Sequence, residues 1–113
     1  MTVTFPDQCN LAEYCIGKPA RERPAKTALL VYNVPNPSAA IEEWRFSDIE
    51  RAVLQIAASL GALGLKRGDR IAISSNTRAE WLLFDAAILG IGGIVVGIYP
   101  TSTAEQMGYI LNH

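Results

Sequence analysis

Ile94-Val-Val-Gly-Ile-Tyr99 is an uninterrupted apolar run rich in β-branched residues and closed by Pro100, and no other segment constrains the fold as strongly. Such a run reads as a parallel strand covered on both faces, because a strand with one wet face would alternate apolar and polar residues. A parallel strand needs a crossover, and the preceding residues supply one. Arg70-Ile-Ala-Ile-Ser74 reads as a short strand. Thr77 and Glu80 then have the spacing of a capping box, in which hydroxyl and carboxylate satisfy free N–H groups at a helix start. The helix predicted over 77–91 carries Trp81, Phe84, Ile88 and Ile91 on one stripe and Leu82, Leu83 and Ala86 on the other side, so it should be buried nearly all round. Gly92 and Gly93 are expected to turn the chain into the next strand at close approach. Residues 70–99 therefore form one βαβ unit, whose crossover should be right-handed.

Upstream, Asn10 caps a short helix over 10–16, which Gly17 and Pro19 should interrupt. Strands over 28–32 and 42–46 flank the turn-rich segment 33–38 and are expected to pair as an antiparallel hairpin. Ser47 and Glu50 present another capping box, followed by a helical stripe of Ile49, Val53, Ile56, Leu60 and Leu63 with Gly64 as the C-terminal cap. Downstream, Thr103 and Gln106 form a third capping box and start a helix reaching Asn112 and His113. A further strand should follow that helix. Without it a sheet edge and the apolar residues Met107, Ile110 and Leu111 lack partners, so the chain is expected to be a fragment of a longer protein. The fold class is α/β, an antiparallel hairpin plus a βαβ unit with flanking helices and an incomplete sheet.

Several kinds of function are disfavoured by the residues themselves. Ten Lys and Arg against eleven Asp and Glu give a net charge of −1, with the cations scattered, which is not the footprint of a nucleic-acid binder. Cys9 and Cys15 stand six apart, a spacing of neither redox nor zinc motifs, and read as reduced thiols; His113 is the lone histidine, so no metal ligands are assigned. Residues 82–99 hold a single charge, Asp85, and approach the length of a membrane span, but Asp85 would cost about 2.5–3.5 kcal/mol at mid-membrane and Gly90, Gly92 and Gly93 invite a break. Gly90-x-Gly92 lacks the third glycine of a dinucleotide fingerprint, since position 95 is Val95. Glu42 and Glu43 are adjacent on a strand and would face opposite sides. With no secretory leader read at the start, the expected location is the cytoplasm. Polar groups beyond the C-terminal ends of the two parallel strands are where an α/β sheet takes ligands, which singles out Asn76 and Thr101 as substrate-proximal candidates, with helix-capping and turn roles as the competing account.

Four segments carry a family resemblance. Glu43-Trp-Arg-Phe-Ser-Asp-Ile49 resembles the first core motif of adenylate-forming enzymes, written around L-T-Y-x-E-L, and Leu63-Gly-Leu-Lys-Arg-Gly-Asp-Arg-Ile-Ala-Ile73 is similar to the turn and strand that follow it. Asn76-Thr-Arg-Ala-Glu-Trp81 resembles the N-x-x-E-W start of the next helix, and residues 87–100 resemble the second core motif, with Gly97 standing where that pattern often has proline. Within this AMP-binding superfamily, Ile98-Tyr-Pro-Thr-Ser-Thr-Ala-Glu-Gln106 looks most like long-chain fatty acyl-CoA synthetases. The resemblance implies that residues 1–113 are the N-terminal part of the large AMP-binding domain. The complete enzyme would use ATP, Mg2+ and coenzyme A to convert a fatty acid to acyl-CoA, AMP and pyrophosphate, with peripheral membrane association open to it. The family's phosphate loop, ribose aspartate and C-terminal lysine have no counterpart in this sequence, so no catalytic or cofactor-binding residue carries over, and the chain by itself is expected to bind no cofactor and to be inactive. Its expected partners are the remainder of the parent enzyme and, there, the fatty acid. The rival reading is a free-standing, non-catalytic interaction module that dimerises through the incomplete sheet edge.

Overall fold

In the computed structural model, which describes residues 4, 6–32 and 41–113, strand β1 (Thr27–Val31) pairs antiparallel with β2 (Glu42–Arg45). Leu30 lies opposite Glu43 and Val31 opposite Glu42, and a register shift brings Thr27 opposite Arg45. The turn expected over 33–38 and most of the leading segment lie outside the described residues. The second sheet is the anticipated parallel pair: β3 (Arg70–Ser74) runs beside β4 (Ile94–Ile98), from Arg70 opposite Ile94 to Ser74 opposite Ile98. Between them lies helix α3 (Ala79–Gly90), so the βαβ unit is present.

The entry helix departs from expectation. Gly17 and Pro19 do not interrupt it; a π-helical turn (Glu13–Gly17), closed by the Lys18 N–H on the Glu13 carbonyl, passes directly into α1 (Lys18–Glu22). Pro19 stands in the first turn of α1, where its missing N–H leaves no partner wanting. Asn10 does cap the entry, its Oδ1 accepting from Ala12 N–H at 3.0 Å, while its amide donates to the Leu89 carbonyl at 2.7 Å and ties the segment to the end of α3.

Helix α2 (Phe46–Ala62) starts without the Ser47 and Glu50 capping box. β2 feeds straight into it, so its first N–H groups find distant carbonyls: Phe46 donates to Lys26 at 3.0 Å and Ser47 to Pro24 at 3.1 Å. Asp48 Oδ2 accepts from Arg45 N–H at 3.0 Å, placing the carboxylate at the positive end of the helix. The other end is as read from sequence: Gly64 donates to Gly61 at 3.0 Å and Leu65 to Leu60 at 3.1 Å, the paired bonds of a Schellman cap.

α2 and α3 pack on each other and make the core, where Ile49, Val53 and Leu60 meet Leu83, Ala86, Ala87 and Ile88. Ile88 is fully buried, worth about 1.5–3 kcal/mol relative to an exposed side chain. Three expectations fail around this core. Leu63, read as the last member of the α2 stripe, lies just past the helix end and is 79% exposed. α3 is not buried all round, since Leu82 and Phe84 are 39% and 42% exposed. β4 is not covered on both faces, since Ile94 is 49% exposed and only Ile98 is buried. One helix layer, α3 with α2 behind it, covers a single face of the two-stranded sheet.

The α3 start also differs. Its N-cap is Arg78, with no side-chain cap, and Glu80 pairs with the Arg78 guanidinium at 2.8 and 3.1 Å rather than reaching Thr77. At the other end Gly92 has φ +78°, and Gly93 donates to the Ile88 carbonyl at 2.9 Å so closely that a Cβ there would sit 2.9 Å from Ile88 Cγ2. This is the expected close turn from helix to strand. α4 (Ala104–Leu111) opens with the Thr103 and Gln106 capping box, at 2.9 and 3.2 Å, and buries none of its own residues. Among the described residues no helix is long and apolar enough to cross a membrane; residues 82–99 divide between α3 and β4.

Candidate functional site

The C-terminal ends of β3 and β4 point to the same edge of the molecule, and the chain leaves both strands through polar segments. After β3 come Ser75, Asn76 and Thr77; after β4, Tyr99, Pro100, Thr101 and Ser102. The second segment is a tight turn in which Ser102 N–H donates to the Tyr99 carbonyl at 3.0 Å, with Pro100 at the position whose φ proline presets. Between the two segments lies a cavity of about 500 Å³, bounded by Ser75, Asn76 and Thr77 on one side and by Trp81, Gly97 and Pro100 among others on the other.

Asn76 and Thr101 both open onto hollows at this edge, but onto different ones. Asn76 lines the cavity just described, whereas Thr101 lines a neighbouring groove of about 760 Å³ with Ser102, Gln106 and Tyr109. Tyr99, 81% exposed, borders both. Neither candidate caps a helix: α3 starts without a side-chain cap and α4 uses Thr103. Thr101 does hold a turn position, so that part of the competing account stands.

Trp81 and Gly97 belong to the cavity although sequence periodicity assigns the tryptophan to a core stripe. The first turn of α3 lies over the end of β4, and Trp81 Cζ2 stands 3.8 Å from where a Cβ on Gly97 would be. The signal available in sequence was a glycine inside a β-branched run and a tryptophan in the first turn of the helix before it.

The chemistry on offer is hydrogen bonding and apolar contact. Among the described residues that line the cavity there is no carboxylate, amine, imidazole or thiol. Of the charges nearby, Glu105 lines the neighbouring groove, and Arg78 holds the Glu80 carboxyl below its ordinary range, both of those side chains standing in solvent. Asp85 faces a different groove, with Cys15, Phe46 and Leu82, where burial pushes its carboxyl above the ordinary aspartate range. Among the described residues no group of three or more His, Cys, Asp or Glu could hold a metal ion.

The region outside the carboxyl ends of the strands, where this hollow lies, is where open parallel α/β sheets take their ligands. The family model of the AMP-binding enzymes matches residues 17–113, and the chain belongs to that family. The long-chain-fatty-acid–CoA ligase FadD15 of Mycobacterium bovis is 51% identical over 57 residues, covering 49% of this chain and 10% of the relative. Among solved structures, IdnL1 superposes with a TM-score of 0.79 at 25% identity, over 91% of this chain and 20% of that one. The fatty acid AMP ligase from Legionella pneumophila superposes at 0.76 with 22% identity, over 96% and 19%. The matched 57 residues thus span about a tenth of the length of the first curated relatives.

Proposed function

We propose that these residues are the N-terminal part of the large domain of an ATP-dependent fatty acyl-CoA synthetase, serving as scaffold and as one wall of its substrate region. The observation that carries the reading is the family match over 17–113 together with 51% identity to a long-chain-fatty-acid–CoA ligase across 57 residues. The complete enzyme would join a fatty acid to ATP, release pyrophosphate, and hand the acyl group to coenzyme A. Mg2+ wants several hard oxygen ligands, usually carboxylates and phosphates, and the residues lining the strand-end cavity do not fit it. No step of the chemistry is therefore assigned to residues 1–113; adenylation and thioester formation belong to other segments, and the chain by itself is inactive. Asn76 and Thr101 are proposed to lie near the acyl substrate in the complete enzyme.

Pyrophosphate exchange tests this reading. Protein expressed from the full reading frame should exchange pyrophosphate in the presence of a long-chain fatty acid, and residues 1–113 alone should not. Exchange by residues 1–113 alone would overturn the scaffold assignment, and exchange by the full protein only with other carboxylates would overturn the substrate class. In the full protein, Asn76→Ala and Thr101→Ala should raise the fatty acid KM at unchanged Tm. Lower Tm with unchanged KM would reduce both residues to structural roles.

A further inference from the structure

Gly97 is the next-to-last residue of β4 and pairs in register with Ile73. Glycine in a strand interior weakens the strand, and its presence marks a bulge, a bend, or a place where something approaches the backbone closely. The first two do not apply, since the parallel register runs unbroken from Arg70 and Ile94 to Ser74 and Ile98. Nor is a positive φ involved; among the glycines that property belongs to Gly64, Gly68 and Gly92. A Cβ on Gly97 would meet one atom within 4 Å, Trp81 Cζ2 at 3.8 Å, which is ordinary contact. The fold has room for a side chain here. That room is part of the strand-end cavity.

The cavity, about 500 Å³, lies within the range of small-molecule sites. The edge of the Trp81 indole, Ile98 and Pro100 give it apolar walls, and Ser75, Asn76 and Thr77 give it one polar rim. No Lys or Arg among the lining residues could pair with a phosphate, so a nucleotide or phosphorylated ligand is a poor match. A slender apolar chain with a hydrogen-bonding end fits both the walls and the rim.

We propose that Gly97 is a specificity-determining residue, whose missing side chain keeps a channel open beneath Trp81 for an unbranched acyl chain. Every other residue of β4 is Ile or Val. One of those at position 97 would put methyl groups into the channel while leaving the sheet intact. This inference rests on the reading of the chain as part of a fatty acyl-activating enzyme, and it names how that enzyme would select its substrate's shape.

The test uses the 113-residue chain with Trp44→Phe, which leaves Trp81 as the sole tryptophan. The probe is an unbranched long-chain fatty acid brominated on its chain, kept below its micelle concentration, because bromine quenches tryptophan emission on contact. Saturable quenching is expected, weakened about tenfold by Gly97→Val and less by Gly97→Ala, with far-UV circular dichroism unchanged in the alanine variant. A methyl-branched brominated acid should quench the wild-type background poorly. Absent or non-saturating quenching, or a Gly97→Ala and Gly97→Val pair that binds like glycine, would overturn the proposal. Because this readout needs no ATP, its failure is distinct from a failure of pyrophosphate exchange.

Discussion

Adding one methyl group at Gly93 tests the junction on which the βαβ unit turns. A Cβ there would stand 2.9 Å from Ile88 Cγ2, 3.1 Å from the Ile88 carbonyl oxygen and 3.4 Å from the Asp69 carbonyl oxygen. Carbon pairs are most stable at about 3.5–4.0 Å, so the side-chain contact must open by more than half an ångström. The carbonyl cannot yield freely, because it accepts the Gly93 N–H at 2.9 Å and belongs to the last turn of α3. Ile88 itself has no slack, being fully buried. Gly93→Ala should therefore cost about 1–3 kcal/mol, the usual penalty of overpacking, and lower Tm by roughly 5–15 °C in a domain of this size. Urea unfolding followed by tryptophan emission gives the free energies for a double-mutant cycle. Ile88→Ala removes Cγ2, so the double variant with Gly93→Ala should cost about 1 kcal/mol less than the sum of the singles. Ile88→Val keeps Cγ2 and should be additive with Gly93→Ala to within about 0.5 kcal/mol. A Tm for Gly93→Ala within about 2 °C of wild type, or an Ile88→Ala cycle that is additive, would refute the close approach as the reason for glycine.

Other consequences follow from single groups. Burial raises the Asp85 carboxyl above its ordinary value of 3.8, so the folded chain holds a proton that the unfolded chain has released, and stability is lost as pH rises from near 4 through the folded-state value. Asp85→Asn should accordingly raise Tm at pH 7, with the difference vanishing below pH 3.5 in a melting series. A constant difference across that series would show that charge burial is not the cause. Removing the Thr103 hydroxyl takes away the acceptor of the Gln106 N–H, so Thr103→Ala should cost the α4 start about 1 kcal/mol. Faster hydrogen exchange at Gln106 and Met107, with α2 unaffected, is the expected readout.

Much of the fold was legible because its strongest signals are local. The parallel strand β4, the glycine pair after α3 and the Schellman cap at Gly64 each depend on residues within one or two turns of chain, and each forms where it was read, although β4 is not covered on both faces. The helix starts were misplaced where distant groups outcompeted local ones. In the expected box Glu50 would accept from the Ser47 N–H, but the Pro24 carbonyl, brought in by the β1 and β2 pairing, takes that donor and the helix starts one residue earlier, at Phe46. Glu80 similarly found a guanidinium two residues away instead of the Thr77 N–H. The site was half legible. That polar groups should gather beyond the ends of β3 and β4 follows from parallel topology, but their division into two hollows depends on how the turn through Pro100 carries Thr101 away from Asn76. Trp81 could not be assigned from periodicity, which registers that a residue is apolar and not whether its ring faces core or cavity.

Leu63 aside, the residues whose burial was predicted and not found form a coherent set. Leu82 and Phe84 stand out of α3, and Ile94 leaves the face of β4 turned away from that helix; all three are more than a third exposed. A helix apolar nearly all round and a β-branched parallel strand are costly in water, since each partly exposed side chain forgoes a share of the roughly 1.5–3 kcal/mol that full burial is worth. Sequences carry patterns of this kind where both faces of a parallel sheet are covered. Here the one covered face is the one that α3 and α2 provide, and the matched part makes up only 20% and 19% of the two solved structures that superpose on it. On the proposed reading of the chain as part of a larger domain, the exposed set assigns the further packing layers to the Ile94 side of β4 and to the Leu82 and Phe84 side of α3.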